Sequence, residues 1–191
     1  MNLTTLQLGP LATNCYILEG EAHRCVVVDP AGEAELLLGR LERMALTVEA
    51  ILLTHCHFDH IGALRALKEK TGAPVYLHPE DLTIAETMAH HRLTETLPYP
   101  PTVEAAGLTL RVYHTPGHCP GAVCLSVGDL LFTGDTLFAG CCGRIDLPGG
   151  DYEAMCSSLG FLSSLPGNPR VLPGHGEAST LEQERQTNPY L

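Results

Sequence analysis

The sequence is short of basic residues: 11 Lys and Arg stand against 22 Asp and Glu, a formal net charge of −11. Binding a phosphate backbone takes clustered Lys and Arg that release counterions. No basic run occurs, which disfavours nucleic acid as a partner. Long apolar runs are missing too. CVVV (25–28) and ILL (51–53) are typical, far from the roughly 18 consecutive apolar residues of a membrane helix, so no membrane partner is expected. The first Lys or Arg is Arg24. No basic head therefore precedes an apolar stretch as in a secretory signal, and a cytoplasmic location is expected. None of the 8 cysteines (15, 25, 56, 119, 124, 141, 142 and 156) forms a CxxC pair, which removes zinc-finger and thioredoxin-type readings. They read as reduced, mostly buried thiols. Internal repeats, low-complexity tracts and linkers are absent as well.

What is present is the composition of a folded protein. Of 191 residues, 45% are hydrophobic and 17% charged, which argues against disorder and suits one globular domain over residues 1–191. Strand-like runs at 4–9, 14–20 and 24–30 are punctuated by Gly9-Pro10 and Asp29-Pro30. Leu36, Leu37, Arg40, Leu41 and Met44 fall at helical spacing in 33–45. Residues 47–54 read as a buried strand running into HCHFDH, and 60–72 as an amphipathic helix ended by Gly72. A strand at 74–78 follows, then a short helix from Pro79 to about Met88. The Pro-rich stretch 90–107 reads as a surface loop. Further strands are expected at 108–115, 122–127, 129–134 and 170–174, a helix at 152–165 capped by Asp151, and a short helical tail. The fold class is α/β, with sheets covered by helices.

Five of the 10 histidines occupy special places: His55, His57 and His60 in THCHFDH, His118 in TPGH and His175 in PGHG. The first three follow a buried strand and precede a helix, the position where open α/β sheets hold ligands. His55 and His57 alternate along the strand exit and can point the same way, while Asp59 and His60 lie on the following turn. His118 and His175 each follow a strand and a Pro-Gly turn, and Asp135 in FTGDT closes a further strand. Imidazole with carboxylate suits zinc, iron or manganese. Seven such groups exceed what one metal can use while keeping an open position, so two metals with Asp135 between them is the economical assignment. His23, His78, His90, His91 and His114 read as ordinary turn residues, and Cys56 as a packed thiol.

THCHFDH, TPGH, GDT and PGHG, in this order, resemble the metallo-β-lactamase fold superfamily over nearly the whole chain. Within it, GDTLFAGCCGRIDLPGGD (134–151) and the ER-x-x-NP ending (184–189) are similar to short bacterial glyoxalase II-like hydrolases. The resemblance implies an αββα four-layer sandwich, two mixed sheets flanked by helices, with a dinuclear site at one edge. It assigns His55, His57 and His118 to the first metal and Asp59, His60 and His175 to the second, with Asp135 bridging. Two divalent ions are implied, zinc foremost and iron or manganese as alternatives. Asp59, His60 and Asp135 would form the catalytic set.

The implied activity is hydrolysis of S-D-lactoylglutathione by a metal-bridging hydroxide, in the manner of a hydroxyacylglutathione hydrolase. A thiolate with a free pKa of about 8.5 leaves with little acid assistance. Arg144 falls where similar glyoxalases place a basic substrate contact, and Arg185 is a second candidate. Longer family members grip glutathione with a C-terminal helical domain, whereas this sequence runs only from His175 to Leu191 beyond its last metal motif. The expected partner is thus a small-molecule thioester, glutathione-derived by this resemblance, and no assembly state is implied. Two rival activities share the pattern: a mononuclear iron glutathione persulfide dioxygenase, and hydrolysis of another ester, lactone or thioester on the same dinuclear site. A purely structural site is disfavoured, because structural zinc sits in closed four-ligand cages.

Overall fold

Alternation with period two decides the architecture. In β2 (Thr13–Glu19), Tyr16 and Leu18 face one side and Cys15 and Ile17 the other, and all four are buried. A strand apolar on both faces must lie between two layers. The computed structural model, which describes residues 1–84, 93 and 95–191, shows those layers. The first sheet runs in chain order through β1 (Asn2–Leu8), β2, β3 (Arg24–Val28), β4 (Thr47–Leu52), β5 (Val75–Leu77) and β6 (Leu97–Pro98). Its first three strands are antiparallel, and β3 to β6 are parallel.

The second sheet is built from β7 (Thr102–Ala105), β8 (Leu108–His114), β9 (Val123–Val127), β10 (Leu130–Gly134), β13 (Arg170–Pro173) and β14 (Ser179–Thr180). Between β10 and β13 the chain forms a small hairpin, β11 (Leu137–Phe138) with β12 (Cys141–Cys142). Tyr16, Leu18, Val28 and Leu52 meet Leu110, Leu125, Phe132 and Leu172 between the two large sheets. Helices α1 (Ala34–Arg43) and α2 (Leu64–Thr71) lay Leu37, Leu41, Leu64 and Leu67 on the outer face of the first sheet. Helix α3 (Tyr152–Ser164) covers Leu131 and Val171 of the second with Met155, Leu159 and Leu162, and α4 (Leu181–Thr187) adds Leu181. The order is helix, sheet, sheet, helix, the αββα sandwich expected from the motifs. Among the described residues no helix is long and apolar enough to cross a membrane.

Three local expectations change. Helix α2 begins at Leu64 instead of His60, because the amides of Gly62 and Ala63 bond outward to the carbonyls of Ala31 and Pro30 at 2.9 and 2.8 Å. The segment 90–107 is not simply a loop: Leu97–Pro98 and Thr102–Ala105 are strands. Pro98 is tolerated because β6 is the edge of its sheet, and the prolines hid the strand signal. After Pro79 a 3-10 turn spans Pro79–Asp81 and helical backbone continues through 84, while 85–92 and 94, with His90 and His91, lie outside the described residues. The two-residue strands β11, β12 and β14 are too short to leave a periodic signature.

Phe132 is fully buried between the sheets, its ring centroid 5.1 Å from that of Tyr16 at 65°. Phe132→Ala should destabilise the fold by about 3–5 kcal/mol, read from urea unfolding at fixed metal concentration. A loss under about 1 kcal/mol would mean that the inter-sheet core closes over the cavity.

Candidate metal centre

Close contacts join the two sheets where β4, β10 and β13 end. The amide of Val123 donates to the carbonyl of Thr54 at 2.9 Å, joining the two sheets. Gly134 has φ of 47°, and a Cβ there would lie 2.5 Å from Thr54 Oγ1. At Gly174 a Cβ would fall 2.2 Å from Asp135 Oδ1 and 2.7 Å from His60 Cε1. Glycine at both positions is what lets the histidine-bearing loops of the first sheet meet the aspartate and histidine of the second.

All seven candidate ligands converge at this edge. His55, His57 and His118 form one close group, and Asp59, His60 and His175 another. His57 Nδ1 and His118 Nε2 face each other at 2.8 Å. Asp59 Oδ2 lies 3.2 Å from His175 Nε2 and 3.6 Å from His60 Nε2. Asp135 stands between the groups: Oδ2 is 3.5 Å from His118 Nε2 and 3.6 Å from His175 Nε2, and Oδ1 is 3.3 Å from His60 Nε2. His55 Nε2, His57 Nε2, His60 Nε2 and Asp135 Oδ1 are buried without a hydrogen-bond partner among the described residues. Buried polar atoms are rarely left so, and four of them in one imidazole–carboxylate cluster fit divalent metal ions.

The remaining ring nitrogens are fixed by neighbours. Asp29 is buried, accepting from Thr54 N at 2.7 Å with Oδ1 and from Thr54 Oγ1 at 2.6 Å with Oδ2. Its Oδ2 also lies 2.9 Å from His60 Nδ1. Because the single Thr54 hydroxyl hydrogen goes to Asp29, the contact from His55 Nδ1 to Thr54 Oγ1 at 3.1 Å must carry its hydrogen on the ring. His118 Nδ1 donates to the main-chain carbonyl of Arg144 at 2.7 Å. His55, His60 and His118 thus keep hydrogen on Nδ1 and turn Nε2 toward the centre, the arrangement metal-binding histidines use.

Charge is distributed to match. Burial drives His55 well below its ordinary value and His57 down to about 4, in both cases aided by neighbouring imidazoles. Burial also opposes charge on His60, but Asp135 and Asp29 raise it well above the usual histidine range. Burial pushes Asp59 upward, yet the His175 hydrogen bond, the His60 charge and the Thr13 hydroxyl at 3.0 Å outweigh it and hold the carboxylate well below its ordinary range. Asp135 is lowered in the same way, with burial outweighed by His60 and then His118 and His175. The carboxylates favour positive charge in the space between them, and a metal ion held there would take the place of a proton.

Four supporting residues escaped sequence reasoning: Thr13, Asp29, Thr54 and Asp81. Asp81 is fully buried, accepting from Cys56 N at 2.7 Å and Gly121 N at 2.9 Å, so it ties the loop of His57 to that of His118. For Asp29 a signal existed, an acid directly after the buried run CVVV, but Asp-Pro reads equally as a turn. Cys56 is packed, its thiol pushed well up by burial and Asp81. His78, Glu80 and His114 form a further cluster. The His78 and His114 rings stack at 4.0 Å and 14°, so no single ion can lie in the plane of both.

Above the centre opens a cavity of about 490 Å³ walled by Leu11, Phe58, Phe138, Leu147 and the Cys141–Cys142 pair, with Arg144 at the rim. The Arg144 guanidinium is largely exposed and pairs with Asp146 through two contacts of 2.6 and 2.7 Å. Arg185 is absent from this lining and instead donates to carbonyls at the end of α3.

Comparison with known proteins gives a consistent picture. The family model described as Metallo-beta-lactamase superfamily matches residues 8–175. A probable metallo-hydrolase, YqgX of Bacillus subtilis, is 37% identical, the match covering 100% of this chain and 98% of the relative. Hydroxyacylglutathione hydrolase GloC of Haemophilus influenzae is 32% identical over the same shares. Among solved structures, the BLEG-1 B3 metallo-beta-lactamase superposes with a TM-score of 0.91 at 36% identity, covering 100% and 99% of the two chains. TTHA1623 in a di-iron-bound form gives 0.90 at 41%, covering 98% and 100%. ETHE1 from Myxococcus xanthus gives 0.83 at 29%, covering 99% and 84%.

Asp29 has φ of 49°, a conformation asparagine tolerates, so Asp29→Asn tests the acceptor and spares the backbone. The variant should stay folded and lose about 10–100-fold in metal affinity, measured by competition with a chromogenic chelator. Unchanged affinity would show that Asp29 does not orient the ligands.

Proposed function

The chain belongs to the metallo-beta-lactamase superfamily, and from that premise we propose that this metal-dependent hydrolase is a glyoxalase II-type thioesterase acting on S-D-lactoylglutathione. The observation that carries the reading is the position of Asp135, whose Oδ2 stands 3.5 and 3.6 Å from histidines of two separate ligand groups. A centre for one metal would leave a second convergent group idle. The full-length similarity to a hydroxyacylglutathione hydrolase supports the substrate class.

His55, His57 and His118 would hold one ion and Asp59, His60 and His175 the other, with Asp135 shared, and zinc is the metal we favour. Held by these residues, two divalent ions would supply a hydroxide nucleophile at neutral pH and polarise the acyl carbonyl. The residues of the chain do the rest. Asp29 and Thr54 keep the imidazoles turned inward, and Asp59 and Asp135 stay ionised and so remain competent ligands. Leu11, Phe58 and Phe138 give the cavity an apolar wall that excludes water from the acyl group. A thiolate leaving group needs little protonation, so no separate general acid is required.

Arg144 has two separable parts. Its main-chain carbonyl anchors His118, while its guanidinium sits at the rim and would exchange Asp146 for a glutathione carboxylate. A second reading, a mononuclear iron glutathione persulfide dioxygenase, draws support from the similarity to ETHE1, whereas the di-iron form of TTHA1623 supports iron as an alternative metal but with two ions. Hydrolysis of another ester, lactone or thioester would use the same centre.

Purified protein should contain about two metal ions per chain and hydrolyse S-D-lactoylglutathione, and chelation should abolish turnover until metal is restored. One iron per chain, no thioester turnover and oxygen uptake with glutathione persulfide would favour the second reading. Arg144→Ala keeps the carbonyl, so metal content should hold while KM for the glutathione thioester rises about 3–10-fold. KM for a neutral N-acetylcysteamine thioester should barely move, and equal effects on both would remove Arg144 from substrate recognition.

A further inference from the structure

Glu184 and Asn188, in the ER-x-x-NP ending, have no part in the chemistry above. Glu184 lies on α4 and is fully buried. Its Oε2 accepts from Gly140 N at 2.7 Å and from Asn188 Nδ2 at 2.9 Å. Asn188 Nδ2 also lies 3.2 and 3.0 Å from the carbonyl oxygens of Phe138 and Cys141, so its two hydrogens are shared among three acceptors. Gly140, Phe138 and Cys141 all belong to the β11–β12 hairpin or its turn. That hairpin has two residue pairs, Leu137 with Cys142 and Phe138 with Cys141, and a two-stranded ladder is marginal at best by itself in water. The hairpin is therefore held from outside its own ladder.

The anchor is itself fixed. Arg185 donates to the carbonyls of Ser163 and Gly167 at 2.9 Å each and to that of Leu165, fastening α4 to the end of α3. The hairpin in turn presents Phe138, Cys141 and Cys142 to the cavity. The Phe138 ring stands edge-on to His175, with centroids 6.1 Å apart. A chain of contacts thus runs from the core-facing helix to the wall beside a metal ligand.

We propose that Glu184 and Asn188 are positioning residues of the substrate cavity: they hold the β11–β12 hairpin as its wall and so set how tightly a substrate is bound. Neither residue lines the cavity or belongs to the ligand groups. The inference rests on the reading that this cavity receives the thioester. Among the described residues Glu184 Oε1 has no hydrogen-bond partner, so Glu184→Gln keeps the one oxygen that accepts both bonds, whereas Glu184→Ala removes it.

The test uses the metal-loaded full chain as wild type, Asn188→Ala, Glu184→Ala and Glu184→Gln. Amide hydrogen exchange by mass spectrometry should accelerate about tenfold over 137–143 in both alanine variants, with 54–60 and the metal content unchanged. KM for S-D-lactoylglutathione should rise about 3–10-fold in them with kcat within about twofold, and Glu184→Gln should restore both readouts. Unchanged exchange at the hairpin would overturn the anchoring. Faster exchange with unchanged KM would overturn the cavity role. Faster exchange across the whole second sheet, with metal lost in proportion, would reduce the motif to a structural cap. If the wild type turns over no thioester, the functional reading fails, and exchange alone decides whether the hairpin is anchored.

Discussion

Two histidines of the centre owe their orientation to one carboxylate. Asp29 takes hydrogen from Thr54 and faces His60 Nδ1, and through the Thr54 hydroxyl it also dictates which nitrogen of His55 bears hydrogen. The Nε2 atoms of both rings point into the centre, where no hydrogen-bond partner meets them among the described residues. Since Asp29 is itself buried, its charge is tolerable only while these contacts persist. Fold and ligand geometry are thereby coupled: the loop that follows β3 cannot be placed without placing the imidazoles that follow β4.

The same economy applies to the junction of the sheets. Gly134 and Gly174 each clear space that a methyl group would fill, and the Val123–Thr54 hydrogen bond spans the seam. Asp81 links the two loops that carry His57 and His118, which come from different sheets. The centre is built across an interface, and the inter-sheet core of Tyr16, Leu52, Phe132 and Leu172 keeps the two halves in register.

Much of this was legible in the sequence because ligand chemistry and strand ends are both local signals. HCHFDH, TPGH, GDT and PGHG are short motifs at strand exits, and the structure gathers all seven of their candidate ligands. Thr13, Thr54 and Asp81 were not legible, and the signal at Asp29 was ambiguous with a turn, because most of their supporting hydrogen bonds join residues 25 or more positions apart and demand only a common polar side chain. Leu97–Pro98 and Thr102–Ala105 were hidden for another reason. Proline marks a turn by its own backbone limits, but an edge strand or a strand start accommodates it. The start of α2 moved because bonds to Pro30 and Ala31, invisible in local periodicity, outcompeted one helical turn.

His118 is steadied by a carbonyl oxygen of Arg144, not by that residue's side chain. Every amino acid carries such an oxygen, so the acceptor survives any replacement at that site that leaves the backbone path alone. The guanidinium, in contrast, pairs with Asp146 and takes no part in orienting His118. Position 144 can therefore vary its chemistry toward the solvent while the metal-facing side stays constant. Such a position can change what the cavity rim offers without disturbing the oxygen that orients His118.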